Sequence, residues 1–321
     1  MGARYSVDVK NVRKIQKSIN KAIFSGSKNA LVGHYAGVIP FRGEKLAMHT
    51  DGVGTKVLVA DELEKYDTVG IDAIAMNVND IICIGAKPLA GVDYLAVAKE
   101  DEYLITQIMK GLVKGAKESG ISIVGGETAI MKDVIKGKNR PFDLAFTALG
   151  VVEKYITGSA IRNGDVLISL GSSGLHSNGY TLARKVLPVD KWGKKMLTPT
   201  KIYVEPVMEM VRKSKVHGLA HITGGAFSKL TRLNKKLGFF IDNPVKPAPI
   251  FRELWKHVED ERHMYRTFNM GTGMVVAAPA KEESSILKIA KKHKVKAQVI
   301  GSVIKEPGVY LGDGTRLDYQ L

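Results

Sequence analysis

The stretch HTDGVGTK, His49 to Lys56, sets an acid, two glycines, two threonines and a lysine within eight residues, directly after the apolar run KLAM. Glycines let backbone approach an anion closely, and Thr50, Thr55 and Lys56 can donate to its oxygens. With Gly52 and Gly54 the stretch suggests a phosphate cradle. It is not a Walker A loop, because the GxxxxGK spacing is missing. Asp51 repels phosphate unless a cation stands between them. Two readings of it are open: a Mg²⁺ ligand bridging to phosphate oxygens, or an Asx-turn after a strand.

Further acids stand beside helices and glycine turns. Asp80, in NVNDI with Asn77 three residues earlier, projects from a helical face opposite an apolar stripe; a solvent-facing charge and a ligand both fit. Glu127, in SIVGGETA, follows a short apolar run and the glycines Gly125 and Gly126. α/β enzymes expose functional side chains at such positions, and helix caps occur there too. GSSGLHSNG offers backbone N–H groups at a helix N-terminus and the hydroxyls of Ser172, Ser173 and Ser177, with His176 and Asn178 among them, which makes a seat for phosphate. No glycine elbow or well-placed acid makes it a Ser–His nucleophile. HITGGAF, with Thr223, Gly224 and Gly225, and NMGTGM, which follows directly from Asn269 at its head, either bind an anion or turn the chain. Cys83 is assigned no chemistry.

The elements that must carry these residues alternate. The spacing predicts helices over 8–24, 67–85 and 101–119, the last stopped by Gly120, with β-like runs at 45–50, 88–98, 121–125 and 143–153. A second region opens with the strand VLISL, its Gly/Ser loop and a helix from YTLARKVL. Strand, glycines and helix recur at GLAHITGGAFSKLTRL, and the chain closes with a Lys-rich helix at 281–294, the strand KAQVIGSVI and a hairpin around GDGT. This order predicts an α/β (α+β) protein of two domains, 1–156 and 157–321.

The 321 residues, 45% hydrophobic and 25% charged, are those of a globular protein. No apolar run reaches the ~18 residues of a membrane span, the N-terminal stretch has no signal-like apolar core, and one cysteine excludes an internal disulfide. A cytoplasmic protein is expected. The formal charge of +16 fits a lysine-rich solvated surface, anionic substrates or nucleic acid. The eleven basic and two acidic residues of 191–236 are spread over several elements without interleaved aromatics, so no specific nucleic acid is expected.

Taken in order, TDGVGTK, DTVGIDAIAMNVNDIICIGAKPL, VGGETA, GDVLISLGSSGLHSNGY, PTKIYV, HITGGAF and MYRTFNMGTGM resemble the phosphoribosylformylglycinamidine cyclo-ligase family, the AIR synthetases of purine biosynthesis, over residues 45 to 275. The resemblance implies a homodimer in which the mixed N-terminal sheets pair into a barrel, with ATP and Mg²⁺ in a cleft near that interface. It assigns Asp51, Asp80 and Glu127 to metal and triphosphate, with Thr50, Thr55 and Lys56 facing phosphate directly. His176, its serine neighbours, Thr223, Gly224, Gly225 and Asn269 would line the side of formylglycinamidine ribonucleotide, His176 as proton shuttle or clamp. Two departures stand out: Ile130-Met131-Lys132 replaces the family's Glu-Met-Pro, and SGSKNALVGHYAG only partly matches its N-terminal glycine loop, which leaves the roles of Lys28 and His34 open. Related dehydratase, selenide-phosphorylating and thiamine-monophosphate kinase types fit less well. The first ends in a cysteine where this chain ends RLDYQL, the second carries an N-terminal Cys or selenocysteine, and the third lacks MYRTFNMGTGM.

Overall fold

A computed structural model describes residues 9–26, 30–31, 34–258 and 260–318; Lys28 lies outside them. The first half runs α1 (Val9–Gly26), β1 (Gly37–Phe41), β2 (Glu44–Gly52), α2 (Val57–Glu62), α3 (Val69–Cys83), β3 (Ala86–Val97), α4 (Glu102–Ser119), β4 (Ser122–Ile130) and β5 (Phe142–Val152). Its mixed sheet has the order β1-β2-β5-β3-β4, antiparallel except for the β3/β4 pair, which α4 connects as a crossover. Asp101 caps α4 by accepting from the Leu104 amide, and Gly120 ends it in the left-handed conformation, as expected. β1 was not foreseen from sequence: GVIPF is short, edge-placed and carries a proline.

The second half runs β6 (Val166–Gly171), α5 (Tyr180–Val186), α6 (Val189–Met196), α7 (Val204–Lys213), β7 (Gly218–His221), a 3-10 helix (Ala226–Arg232), β8 (Gly238–Ile241), α8 (Pro249–Trp255), α9 (Glu261–Thr267), β9 (Thr272–Ala278), α10 (Glu283–Lys292), β10 (Ala297–Ile304) and β11 (Gly308–Leu311). These strands form a second sheet, β11-β8-β10-β6-β9-β7. Every residue of β7 and β9 is buried, so these strands read as apolar runs and not as alternations.

α3 joins the halves. One side packs on β2 and β5, another on α4 and a third on β7 and α7 of the second half. Gly70 and Gly111 let α3 and α4 meet backbone to backbone: a Cβ on Gly70 would lie 2.2 Å from the Leu112 nitrogen. All fifteen residues of the helix are buried. The solvent-facing reading of its polar side, Asp80 included, is therefore wrong, because the second half covers that side.

Asp72, Asn79 and Asp80 of α3 each bond across this junction. Asn79 donates to the Lys201 carbonyl at 2.8 Å and accepts from the Tyr203 amide at 3.0 Å. Asp72 meets Lys56, which comes from the single 3-10 turn after β2. Both side chains are 0% exposed, and the ammonium lies 2.9 and 2.8 Å from the two carboxylate oxygens. Its other donors go to the carbonyls of His176 (3.1 Å) and Thr198 (2.8 Å). Asp72 Oδ1 also accepts from the Thr200 amide and hydroxyl and from the Ser177 hydroxyl. Burial depresses the Lys56 ammonium's proton affinity, and the Asp72 carboxylate opposes that shift.

Lys56→Met leaves the Asp72 charge buried and alone, and is expected to cost about 3–5 kcal/mol, read as a lowered denaturant midpoint. The double substitution Lys56→Met/Asp72→Leu should regain part of that loss, since no uncompensated charge remains.

Candidate active site

β2 alternates, and its alternation sorts the opening motif onto two sides of the sheet. Ala47, His49 and Asp51 face α3, whereas Met48 and Thr50 face away. Thr50 bonds along the outer side, accepting from the Thr147 hydroxyl at 3.0 Å. Asp51 sits half-buried at the strand end, with Oδ1 accepting from the Gly52 amide at 2.8 Å. Burial raises its carboxyl above the usual range and Asp80 adds to the rise, against the opposing charges of His49 and Lys229. Gly54 and Thr55 are exposed on the turn beyond.

Behind Asp51 lies a connected polar row. Asn77 donates to the Asp51 carbonyl (3.1 Å) and the Ala73 carbonyl (2.9 Å), which aims its amide oxygen at His49 Nδ1, 2.9 Å away. His49 Nε2 stands 3.3 Å from Asp80 Oδ2, and Asp80 Oδ1 stands 2.7 Å from His221 Nδ1. Burial pushes the Asp80 carboxyl up, but the His221 contact with the charges of His49 and Lys229 outweighs it and holds the group below its usual range. His221 closes β7, so this row spans both halves of the chain. Its Nε2 is buried and unpartnered.

The second half brings its glycine loops to the same junction. His176 is 0% exposed, with positive φ; its Nε2 accepts from the Ser173 amide at 3.2 Å and its Nδ1 is buried without a partner. Burial lowers the imidazole's proton affinity well below normal, and His221, whose ring centre is 6.4 Å away, adds to this. In this conformation His176, for which the resemblance implied a proton shuttle or clamp, is fully enclosed. Asn269 is likewise spent internally, accepting from Ser172 Oγ and the Gly271 amide and donating to the Gly174 carbonyl. Ser177 serves Asp72. Ser172, Ser173, Asn178, Gly224 and Gly225 retain exposure, and the Asn178 amide oxygen lies beside Gly224.

Two site assignments do not survive this geometry. Lys56 has all three donors committed and no route to a phosphate, for the reason given above. Glu127 does not gather with the other acids. The register pairs Gly52 with Ala145, Ala145 with Tyr94 and Tyr94 with Glu127, placing Glu127 on the outer face, three strand spacings of about 4.8 Å from β2. Gly126, not Glu127, shares the Asp51 row, along with Phe146 and a buried acid the sequence reading passed over, Asp93. Both Asp80 oxygens already face imidazoles. Among the described residues of one chain, no group of three or more His, Cys, Asp or Glu could hold a metal ion. The three-carboxylate Mg²⁺ site is therefore not formed within one chain.

Sequence reasoning also missed His49, His221 and Lys229. The two histidines stand inside HTDGVGTK and HITGGAF, whose glycines and threonines carry the stronger signal; Lys229 has no local signal. Cys83 is buried with its thiol pushed well up, an inert group.

With this geometry, likeness to known proteins is informative. Residues 33–152 match the model of the AIR synthase related protein, N-terminal domain, and residues 162–314 that of the AIR synthase related protein, C-terminal domain. The chain is 50% identical to a phosphoribosylformylglycinamidine cyclo-ligase of Methanocaldococcus jannaschii, an alignment covering 93% of this chain and 90% of that one. It is 44% identical to a cyclo-ligase of the same name from Saccharolobus solfataricus, over 96% and 93%. Its fold is shared with T. maritima PurL complexed with ATP, at a TM-score of 0.61 and 22% identity over 86% of this chain and 43% of that one. Two domains, each matching its own family model, and likeness to cyclo-ligases along nearly the whole chain settle the lineage: the chain belongs to the phosphoribosylformylglycinamidine cyclo-ligase family of AIR synthase related proteins.

Proposed function

We propose that the chain converts formylglycinamidine ribonucleotide and ATP into 5-aminoimidazole ribonucleotide, ADP and phosphate, as a cytoplasmic enzyme of purine biosynthesis. The observation that carries this reading is the 44–50% identity to cyclo-ligases across both domains, because the cleft is built from both. The formyl amide oxygen attacks the γ-phosphorus, the bond to the bridging oxygen breaks, and ADP departs with the electron pair. The amide oxygen, a poor leaving group, has become phosphate. The amidine nitrogen then attacks the same carbon, phosphate leaves, and the nitrogen gives up its proton. No protein nucleophile is needed. The chain's part is to hold the folded substrate and exclude water, and holding a reactive conformer can supply several kcal/mol. Gly224, Gly225, Asn178 and Ser173 present backbone and amide groups to the ligands. Mg²⁺ would accompany ATP, and Asp51 is the carboxylate that one chain leaves available to it.

The second part of the reading is a homodimer through the outer face of the first sheet. Ile39, Phe41, Met48, Val92 and Tyr94 are exposed there, Met48 by 49% and Phe41 by 53%, apolar side chains that a partner's sheet would cover. Glu127 lies on this face, where a partner subunit would meet it.

The activity is checked by measuring ATP consumption with and without formylglycinamidine ribonucleotide and assaying the aminoimidazole; substrate-stimulated consumption with equimolar product is expected. A non-catalytic, polyanion-binding chain would show neither, and instead would bind RNA with steep salt dependence. For the dimer, Val92→Glu should halve the mass found by light scattering while leaving the far-ultraviolet dichroism unchanged; a wild-type monomer would refute it.

A further inference from the structure

Lys56 was the one cation expected at the transferred phosphoryl group, and it is locked into the core. Another cation occupies the cleft. Lys229 lies on the 3-10 helix Ala226–Arg232, and its side chain passes beside Gly225, a glycine in the left-handed conformation. Its ammonium donates to the hydroxyl of Thr223, which is itself buried. Among the described residues that neutral oxygen is its hydrogen-bond partner, and no carboxylate forms an ion pair with it. Yet it sits within the electrostatic reach of Asp51 and Asp80, across the junction between the halves. Their charge is already claimed, Asp80 by His49 and His221 and Asp51 in part by His49.

Arg232 follows three residues later, on the same side of a helix with three residues per turn. Its guanidinium lies over the Tyr35 ring, 5.9 Å from the centroid, and the Tyr35 hydroxyl is buried with no partner. An ammonium held by a neutral oxygen, with a second cation beside it, makes a place that an anion can fill. Burial and Arg232 hold the Lys229 ammonium down to about 8, a displacement that a bound phosphate would oppose.

We propose that Lys229 is a catalytic residue, contacting the non-bridging oxygens of the γ-phosphoryl group as it passes from ATP to the formyl oxygen. This rests on the reading given under Proposed function. The ammonium keeps its proton throughout: the bond from phosphorus to the bridging oxygen breaks toward ADP, the bond to the formyl oxygen forms, and Lys229 donates hydrogen bonds to the oxygens on which charge is spread.

The test is steady-state kinetics on the full chain, varying ATP and formylglycinamidine ribonucleotide in turn, with a thermal melt of each variant. Lys229→Gln, which can still bond Thr223, is expected to lower kcat by about 100- to 1000-fold with the KM for the ribonucleotide little changed. Lys229→Arg should recover part of the rate because the charge returns. An unchanged kcat in Lys229→Gln would overturn the proposal. So would a defect confined to the ribonucleotide KM, which would assign Lys229 to the substrate's own phosphate. If Lys229→Gln does not fold, Lys229→Arg and Thr223→Val decide: both must lower kcat without a matching rise in that KM. If the wild-type chain makes no aminoimidazole, the underlying reading fails, and the assignment of Lys229 to transfer onto the formyl oxygen falls with it.

Discussion

A lysine and an aspartate, both out of water, set the geometry of everything around them. Burying either charge alone would be prohibitive, so the pair persists only where each remaining donor and acceptor is also met. Lys56 meets three groups, the Asp72 carboxylate and two carbonyls, and Asp72 gathers donors from Lys56, Thr200 and Ser177. Four of these partners belong to the second half of the chain. A hydrocarbon contact there would tolerate sliding, whereas an ammonium with three fixed acceptors has one satisfied arrangement. The loop 172–178 and the segment 198–203 are thus registered against α3, and with them the walls of the cleft.

That constraint also divides the labour of the site. Lys56 and Lys229 both come near the boundary between the halves, and their surroundings separate them. Lys56 is paired, enclosed and structural; Lys229 has a neutral partner, partial exposure and the carboxylates of the other half in its field. The acids separate in the same way. Asp72 is structural, Asp80 is held between two imidazoles, and Asp51 keeps an oxygen free at the strand end. Residue type alone would not distinguish the members of either set. Their partners do.

Much of the architecture was legible because it follows local rules. The Gly120 stop and the apolar spacing of Ile71, Ile74, Val78 and Ile81 place α4 and α3 to within about two residues of their ends, and the β-like runs at 45–50, 88–98 and 143–153 fall on β2, β3 and β5. What stayed hidden was whatever tertiary packing decides. The polar side of α3 looks solvated until a second domain covers it; the strand GVIPF is too short and too proline-bound to announce itself; and Glu127 shifts from one face to the other with a single step in register. For the site, the motif around Asp51 leads to the polar row at the junction of the halves, but Lys56 lies in a buried ion pair, and such a pair and a phosphate ligand draw on the same residue type. Lys229 stood in AFSKLTRL, a run that reads as an ordinary amphipathic turn.

The strand alternation bears on the acids in one more way. On β2, β5, β3 and β4 the inner row Asp51, Phe146, Asp93, Gly126 faces α3, and the adjoining outer row Gly52, Ala145, Tyr94, Glu127 faces away. No rotation of side chains brings members of adjoining rows to one ion within a single sheet, because the backbone lies between them. A common site for Asp51 and Glu127 within one copy would require a register slip in β4, and Gly126 forbids it: any side chain in its place on the inner row would overlap the Asp93 carboxyl, 2.3 Å from the position of a Cβ. The glycine pair before Glu127 therefore fixes that acid outward. In the proposed dimer, outward means toward the partner subunit, so the carboxylate that a single chain cannot use at its own cleft is available to the shared interface.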